Sequence, residues 1–239
     1  MSYKEEKLNS PARPLPQGLW IVIAAYNEQR RIGAVLDDLL KVVKNVVVVN
    51  DGSRDDTAGE VLKRPVWLVR HAVNLGQGAA LQTGIAFALE RQADYIITFD
   101  ADGQHCTADL PVLIDRLTAE GADFALGSRF LGKAQGIPWS RKLMLQMAVL
   151  FTRIFSGVAL TDAHNGLRAM TRRGAQHIHV TMNRMEHASE IIDQIASSGL
   201  KYIEAPVTIR YTADSLAKGQ KTSAAVRLGI KLLLEKVIR

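Results

Sequence analysis

Short apolar runs alternate with longer amphipathic stretches through the first 130 residues of the chain. The apolar runs have the length and β-branched content of buried strands, and they occupy residues 19–25, 46–49, 66–69, 95–99 and 123–129. Between them, residues 29–44 place Ile, Val and Leu at helical spacing. This alternation predicts an α/β fold with a mostly parallel, Rossmann-like sheet and helices on both faces.

Three polar clusters directly follow apolar runs. They read AYNE from Ala25, NDGS from Asn50 and DADGQ from Asp100. Ligands of parallel α/β sheets bind at the carboxyl ends of the strands. We therefore expect one ligand to contact all three clusters.

The DADGQ cluster carries candidate metal ligands at alternate positions. Asp100, Asp102 and Gln104 lie on one side if the strand continues, because side chains alternate along an extended chain. Carboxylate and amide oxygens suit Mg²⁺ or Mn²⁺, and a bound cation would offset the repulsion between the carboxylates. About one Asp-x-Asp is expected by chance in a chain of this length, so a polar turn is the alternative.

Other polar motifs have two interpretations each. Asp51 either accepts hydrogen bonds from a base or ribose or forms an ordinary Asx-turn. The segment NLGQGAA, residues 74–80, either cradles phosphate at a helix start or lets a loop pack closely on the helix. Glu186, His187 and Glu190 form either an acid–base group or a solvated helix face. His177 and His179 are interpreted as structural or surface residues.

The second half of the chain is less regular. Residues 132–138 are predicted to form a loop, 161–174 a polar turn leading to a short strand, and 140–160 a core helix. From Lys221, an amphipathic C-terminal helix either lies in a membrane interface or packs on the domain. We expect a flexible arm (1–17), one domain (18–212) with halves 18–130 and 131–212, and a basic loop with the C-terminal helix (213–239).

The composition of the chain limits the classes of partner and structure that we expect. The chain has 239 residues and a formal net charge of +6, which favours anionic partners. No run interleaves basic and aromatic residues, so we expect no nucleic acid. The single cysteine, Cys106, excludes an internal disulfide and fits a reducing compartment. No apolar stretch reaches about 18 residues, so no spanning helix is expected.

Taken in order, the motifs resemble those of family 2 glycosyltransferases of the GT-A fold. They are AAYNE, VVNDGSRDDT, HAVNLGQGAALQTGI, TFDADGQH, LGSRF, TDAHNGLRAMTRRG and IEAPVTIRYT. The set is most similar to dolichol-phosphate mannose synthases and bacterial polyprenyl-phosphate glycosyltransferases, and it covers about residues 19–221. Ala25 stands where many relatives have Pro, and Gln77 where many have Lys.

The resemblance implies roles for individual residues. The nucleotide-sugar site would comprise Ala25, Tyr26, Glu28, Asp51, Asn74, Gly76, Asp100 and Ala101. The metal would be held by Asp100, Asp102 and Gln104. The acceptor phosphate would meet Ser128, Arg129, Arg168, Arg210 and Lys221, with Asp162 and Asn165 on the far wall. The catalytic set would be Asp100, Asp102, Arg129 and Asp162.

The resemblance also implies a reaction and a location. A sugar would move with inversion from a GDP- or UDP-linked donor to a polyprenyl phosphate, with Mg²⁺ or Mn²⁺, in cell-surface glycan assembly. The enzyme would be cytoplasmic and peripheral on the cytoplasmic face of the membrane, where it would bind directly or through a separate membrane protein. The alternatives are a soluble or glycan acceptor, and a non-catalytic subunit that binds nucleotide sugars.

Overall fold

The structure is a computed structural model that describes residues 14–139, 142–147, 149, 158–162, 165–184 and 186–211. The predictions for Lys221, for the C-terminal helix and for most of the N-terminal arm lie outside the described residues. Part of the predicted helix 140–160 does so as well, although residues 142–147 are helical.

A mixed sheet of seven strands forms the centre of the described chain. The strands are β1 Leu19–Ala25, β2 Asn45–Asp51, β3 Trp67–His71, β4 Tyr95–Thr98, β5 Phe124–Gln135, β6 Arg168–Thr171 and β7 Tyr202–Arg210. Their order is β3-β2-β1-β4-β6-β5-β7, and β6 runs antiparallel to both of its neighbours. The other neighbouring pairs are parallel, which confirms the predicted, mostly parallel α/β sheet.

Helices cover both faces of the sheet, as predicted. They are α1 Ile32–Leu39, α2 Thr57–Leu62, α3 Gln77–Glu90, α4 Asp109–Ala119, α5 Arg172–Gln176 and α6 His187–Ser197. Alternate residues of β1 supply two separate cores. Ile21 and Ile23 join the core with α1 and α4, whereas Trp20 and Val22 join the core with α3 and α6. Burial on both faces explains why β1 and the VVVV run of β2 are apolar.

Two predictions for the second half were wrong in detail. The predicted loop 132–138 is in part strand, because β5 continues to Gln135 and pairs with β7 beyond an irregularity between Ser128 and Lys133. The predicted turn 161–174 contains β6, which is only four residues long. Neither segment has an apolar run, so its pairing depends on neighbouring strands.

A smaller correction concerns the first helix. The helix predicted over residues 29–44 is shorter, Ile32–Leu39. Among the described residues, no helix combines the length and apolar character needed to cross a bilayer.

Candidate active site

The three polar clusters meet at one edge of the sheet because β1, β2 and β4 are parallel neighbours. Reciprocal hydrogen bonds join the first two clusters. The Asn27 amide donates to Ser53 Oγ at 3.0 Å, and the Arg54 amide donates to Asn27 Oδ1 at 2.8 Å. Asn27 has a φ of 55°, a left-handed conformation that Asn tolerates better than most residues. The strand ends therefore form a bonded rim around a shared opening.

Asp51 lies buried at the end of β2, where the sequence predicts a nucleotide contact. Its carboxylate accepts four hydrogen bonds from one loop: from His71 Nδ1 at 2.7 Å, Asn74 Nδ2 at 2.9 Å, and the Leu75 and Gly76 amides at 2.9 and 2.8 Å. The carboxylate thus orders the loop that follows β3. A nucleotide contact through Asp51, Asn74 and Gly76 stays a prediction.

The glycines at the start of α3 let two segments approach closely. A Cβ on Gly76 would lie 2.1 Å from the Asn183 carbonyl oxygen, and one on Gly78 would lie 2.1 Å from the Met182 carbonyl oxygen. The Gly78 amide donates to Asn183 O at 2.9 Å. Of the two interpretations of this segment, close packing matches these contacts; nothing here shows a phosphate.

Asp100 lies just beyond β4, in contact with residues from three parts of the chain. Its Oδ2 is 2.9 Å from His105 Nε2, and its Oδ1 accepts a long hydrogen bond, 3.4 Å, from Gln77 Nε2. A Cβ on Gly166 would lie 2.3 Å from Asp100 Oδ2. The carboxylate therefore occupies space that is open only because residue 166 has no side chain.

Asp102 is held by Gln104. Its Oδ1 accepts from the Gln104 backbone amide at 3.0 Å, and its Oδ2 accepts from Gln104 Nε2 at 2.6 Å. Gln104 therefore presents its amide nitrogen to Asp102. The Gln104 amide oxygen would become a metal ligand only after the side-chain amide rotated by about half a turn.

The two carboxylates differ in pKa. Burial, and then the charge of Asp100, raise the pKa of Asp102. Burial also acts to raise the pKa of Asp100, but His105 and Arg168 outweigh it and lower that pKa below its ordinary value. Asp102 thus carries a negative charge that its surroundings do not favour.

The pair fits a divalent cation that has further ligands of its own. Carboxylate oxygens are hard donors, and a cation would relieve the charge that raises the Asp102 pKa. In the part of the chain that the structure describes, no three His, Cys, Asp or Glu side chains cluster as a metal site. Mg²⁺ typically uses one or two carboxylates together with substrate phosphates, which matches this arrangement.

Arg168, the first residue of β6, brings a buried positive charge to the same place. It is 4% exposed, and its guanidinium has no hydrogen-bond or ion-pair partner among the described residues. Burial lowers the pKa of Arg168, while the nearby charges of Asp100 and Asp162 act to raise it. A buried guanidinium without a bonded partner favours an anionic ligand, because burying an unpaired charge is costly.

Arg129 and Asp162 form a buried ion pair. Arg129 Nε donates to Asp162 Oδ2 at 2.6 Å, and Arg129 Nη1 donates to the Tyr211 hydroxyl at 2.5 Å. Ser128 is fully buried, with its Oγ 2.5 Å from Thr161 Oγ1. These bonds tie β5 to residues 158–162. Contacts of Ser128 and Arg129 with an acceptor phosphate stay predictions.

The other residues that were predicted to line the site differ in burial and in their contacts. Arg210 is exposed, and its backbone amide donates to Gln104 O at 2.9 Å, so the end of β7 adjoins the Asp102 turn. Asn165 is buried and donates to Asp162 Oδ2 at 3.4 Å. Ala101 is buried, whereas Tyr26 is 41% exposed at the rim.

Glu190 and His187 do not form an acid–base group. Glu190 accepts hydrogen bonds from the amides of Thr181 and Met182, so it orders that loop. His187 is buried with Nδ1 donating to Arg184 O at 2.6 Å, and burial together with Arg168 lowers its pKa. Both side chains therefore shape the site wall.

His105 is a site residue that the sequence pattern does not reveal. It lies in a turn, where neither the strand nor the helix period applies, and its partner is five positions away. His71, which bonds Asp51, was missed for a related reason: the contact joins two strand ends that are 20 residues apart. The only sequence signal for either residue was its place inside a quoted motif: His105 ends TFDADGQH, and His71 begins HAVNLGQGAALQTGI.

The fold and the paired carboxylates at its strand ends define a GT-A-type glycosyltransferase architecture. The chain belongs to glycosyl transferase family 2, whose sequence model matches residues 20–178. It resembles the UDP-N-acetylglucosamine–dolichyl-phosphate N-acetylglucosaminyltransferase of Methanococcus voltae, with 27% identity over 92% of this chain and 96% of that protein.

Two further similarities extend this result. The polyprenol monophosphomannose synthase of Mycolicibacterium smegmatis is 29% identical over 95% of this chain and 89% of that protein. Glucosyl-3-phosphoglycerate synthase from Mycobacterium tuberculosis, solved with Mn²⁺ and UDP, shares the fold. Its TM-score is 0.65 at 17% identity, over 91% of this chain and 79% of that chain.

Proposed function

We propose that the protein is an inverting glycosyltransferase that moves a sugar from a nucleotide-diphosphate sugar to a polyprenyl phosphate in cell-surface glycan assembly. One observation carries this proposal: the guanidinium of the buried Arg168, which has no hydrogen-bond or ion-pair partner among the described residues, lies close enough to Asp100 for each charge to affect the pKa of the other. A place for a cation with a diphosphate thus borders a place for a second phosphate.

In this proposal, the Asp100 and Asp102 carboxylates help to bind the nucleotide-sugar donor. Asp100 and Asp102 would hold Mg²⁺ or Mn²⁺, with Gln104 as a third ligand after its amide turns. When bound, the cation would supply positive charge against the diphosphate that leaves. Tyr26 is exposed beside the donor opening, where its ring can meet the nucleotide. Donors linked to GDP or to UDP both satisfy this chemistry.

In the same proposal, Arg168 helps to bind the phosphate of the acceptor. A phosphate monoester is largely ionised near neutral pH, its second pKa being about 6, so it needs no strong base to become a nucleophile. The protein's main task is to orient two anions and shield their repulsion. Arg168 would bind the acceptor phosphate, with Arg129, Arg210 and Lys221 contributing positive charge around it.

Membrane contact would bring the enzyme to a lipid acceptor. Three large apolar side chains spaced four residues apart are exposed: Trp139 by 76%, Leu143 by 46% and Met147 by 59%. Exposed apolar side chains in a basic protein suit a lipid surface with anionic headgroups. We propose peripheral binding at the cytoplasmic membrane face, aided by the predicted C-terminal helix or by a separate membrane protein.

The acceptor class is better supported than the donor sugar. The two relatives are named for N-acetylglucosamine and for mannose, whereas both names specify a polyprenol-type acceptor. The experiment is therefore a panel of GDP- and UDP-sugars with undecaprenyl or dolichyl phosphate and Mn²⁺, with products identified by mass. We expect one donor to yield a lipid-phosphate sugar.

Matched variants test the donor half. Asp102→Ala should lower kcat/KM by at least about 100-fold, since a transition-state charge interaction is worth about that much. Asp115→Ala, at an exposed position on α4, should leave it unchanged. Transfer only to soluble acceptors would contradict the lipid assignment. Absence of both transfer and nucleotide-sugar binding by calorimetry would favour a non-catalytic subunit.

Arg168→Met tests the acceptor half. We expect the KM for lipid phosphate to rise about tenfold or more, because a charge-assisted contact of about 1.5–3 kcal/mol is lost, while the Kd for the nucleotide sugar changes little. Arg173→Met, at an exposed position on α5, is the control. An unchanged KM for lipid phosphate would assign Arg168 another role.

A further inference from the structure

His105 is buried beside the carboxylate pair and contributes a single polar contact there. It is 8% exposed, and its ring packs edge-on against Phe99 with centroids 5.2 Å apart. Nε2 lies 2.9 Å from Asp100 Oδ2. Nδ1 is buried, and within the described residues it has no hydrogen-bond partner.

These surroundings assign the proton on the ring. The ionised Asp100 carboxylate only accepts hydrogen bonds, so Nε2 must be the donor. A proton on Nδ1 would instead be a buried N–H without an acceptor among the described residues. The ring therefore carries a proton on Nε2, directed at Asp100.

The backbone holds His105 rigidly. The residue forms a bridge with Ile209 of β7, and the neighbouring Gln104 carbonyl accepts from the Arg210 amide at 2.9 Å. The donor is thus fixed to the sheet through β7. Gly166 also bounds Asp100 closely, since a Cβ on Gly166 would lie 2.3 Å from Asp100 Oδ2.

We propose that His105 is a positioning residue that fixes the orientation of the Asp100 carboxylate for the divalent cation. The inference rests on the proposed metal-dependent function. Hydrogen bonds from residues behind a metal ligand typically contribute 10–100-fold to metal affinity. The His105 bond engages Oδ2, whereas Oδ1 accepts a long hydrogen bond from Gln77 Nε2, so we infer that Oδ1 is the oxygen that would meet a cation.

Two variants of nearly equal size separate the hydrogen bond from packing. The Nε2 of Gln can reach the place of the imidazole Nε2, so His105→Gln keeps a donor toward Asp100. His105→Met fills similar space without one. We expect His105→Met to weaken Mn²⁺ binding, measured by calorimetry or electron paramagnetic resonance, about tenfold or more, and His105→Gln to restore it to within about threefold. The exposed His179→Met is the control.

A second measurement needs neither metal nor substrate. Long-range ¹H–¹⁵N spectra of the metal-free protein should show His105 as the Nε2–H tautomer. A proton on Nδ1 alone would overturn the inference, as would wild-type Mn²⁺ affinity in a folded His105→Met protein. If His105→Met does not fold, His105→Asn, whose shorter amide cannot reach Asp100 in the same way, takes its place.

The outcomes distinguish this inference from the proposed function. If the wild-type protein binds Mn²⁺ and all His105 variants bind it equally, only the positioning role is wrong. If the wild-type protein binds no Mn²⁺, with or without sugar nucleotides, the metal-dependent function is wrong and the positioning role falls with it.

Discussion

At the scale of single residues, Asp51 illustrates how one buried carboxylate orders a loop. Its four donors all come from residues 71–76, so the carboxylate replaces the water that those groups would otherwise bind. Leu75 and Gly76 offer backbone amides just before α3 begins, where no helical partner exists for them. Asp51 therefore fixes the entry into α3 whether or not it also contacts a nucleotide.

Asp51→Ala should destabilise the protein by about 1–3 kcal/mol, because four donors lose a buried acceptor, although Asn74 and Leu75 are exposed enough for water to replace it in part. Urea unfolding followed by circular dichroism measures this change. Asp115→Ala removes an exposed carboxylate and should stay within about 0.5 kcal/mol of wild type. Equal stability of the two variants would show that the Asp51 bonds contribute little.

At the scale of elements, the site depends on close packing between α3 and the segment before α6. Gly78 lies in the first turn of α3 against the Met182 carbonyl, and Glu190 of α6 fixes that same segment through the Thr181 and Met182 amides. His187 packs nearby, since its Cβ would lie 2.9 Å from a Cβ on Gly78. The two helices are thus joined by a backbone contact.

Gly78→Ala should destabilise the protein by about 2 kcal/mol or more, because the new methyl group would meet a backbone carbonyl that Glu190 holds in place. Gly33→Ala, in α1, is the matched control. Its Cβ would meet only the end of the Arg64 side chain, and Ala favours a helix by about 1 kcal/mol over Gly. Thermal unfolding of both variants measures the change in stability. Equal losses of stability in Gly78→Ala and Gly33→Ala would contradict the explanation by a backbone contact.

At the scale of the whole molecule, two halves of the chain complete one site. The carboxylates follow β4 in the first half, and Arg168 begins β6, which inserts between β4 and β5. Thr98 at the end of β4 donates through Oγ1 to Gly166 O at 2.7 Å, which brings the segment before Arg168 against the carboxylate turn. The proposed binding of a cation and of a phosphate would therefore depend on the same central strands.

This arrangement gives cation binding a defined pH dependence. The pKa of Asp102 is raised in the folded protein above the ordinary Asp value of about 4. At a pH between these two values, Asp102 is protonated in the folded protein and ionised in the unfolded chain. Ionising Asp102 through this window thus lowers the stability of the metal-free protein. Asp100, with a lowered pKa, is already ionised there. Mn²⁺ needs both carboxylates ionised, so its affinity should fall as the pH falls into the window.

Mn²⁺ at about 100 times its Kd should stabilise the protein by about 2.7 kcal/mol near neutral pH, or about 5–10 °C in Tm for a domain of this size. The Tm shift should shrink as the pH approaches about 4. Calorimetric scans with and without Mn²⁺ across this range test the dependence. Asp102→Asn should remove most of the shift at every pH, and a shift independent of pH would contradict the assignment.

The sequence by itself determined the class of fold and the edge at which the site lies. Runs such as VVVV before Asn50 require burial on two faces, and polar residues that end parallel strands must meet at one edge. The ordered motifs determined the family for the same reason: each one keeps its place relative to a strand or helix that local periodicity identifies.

Only the tertiary structure decided which side chains meet within that edge. β6 has four residues and no apolar run, so nothing local marks it as a central strand that carries Arg168 to Asp100. The four bonds to Asp51 and the contact of His105 with Asp100 depend on turn conformations and on neighbouring strands. Local patterns report burial and periodicity, whereas these contacts are set by how distant segments pack.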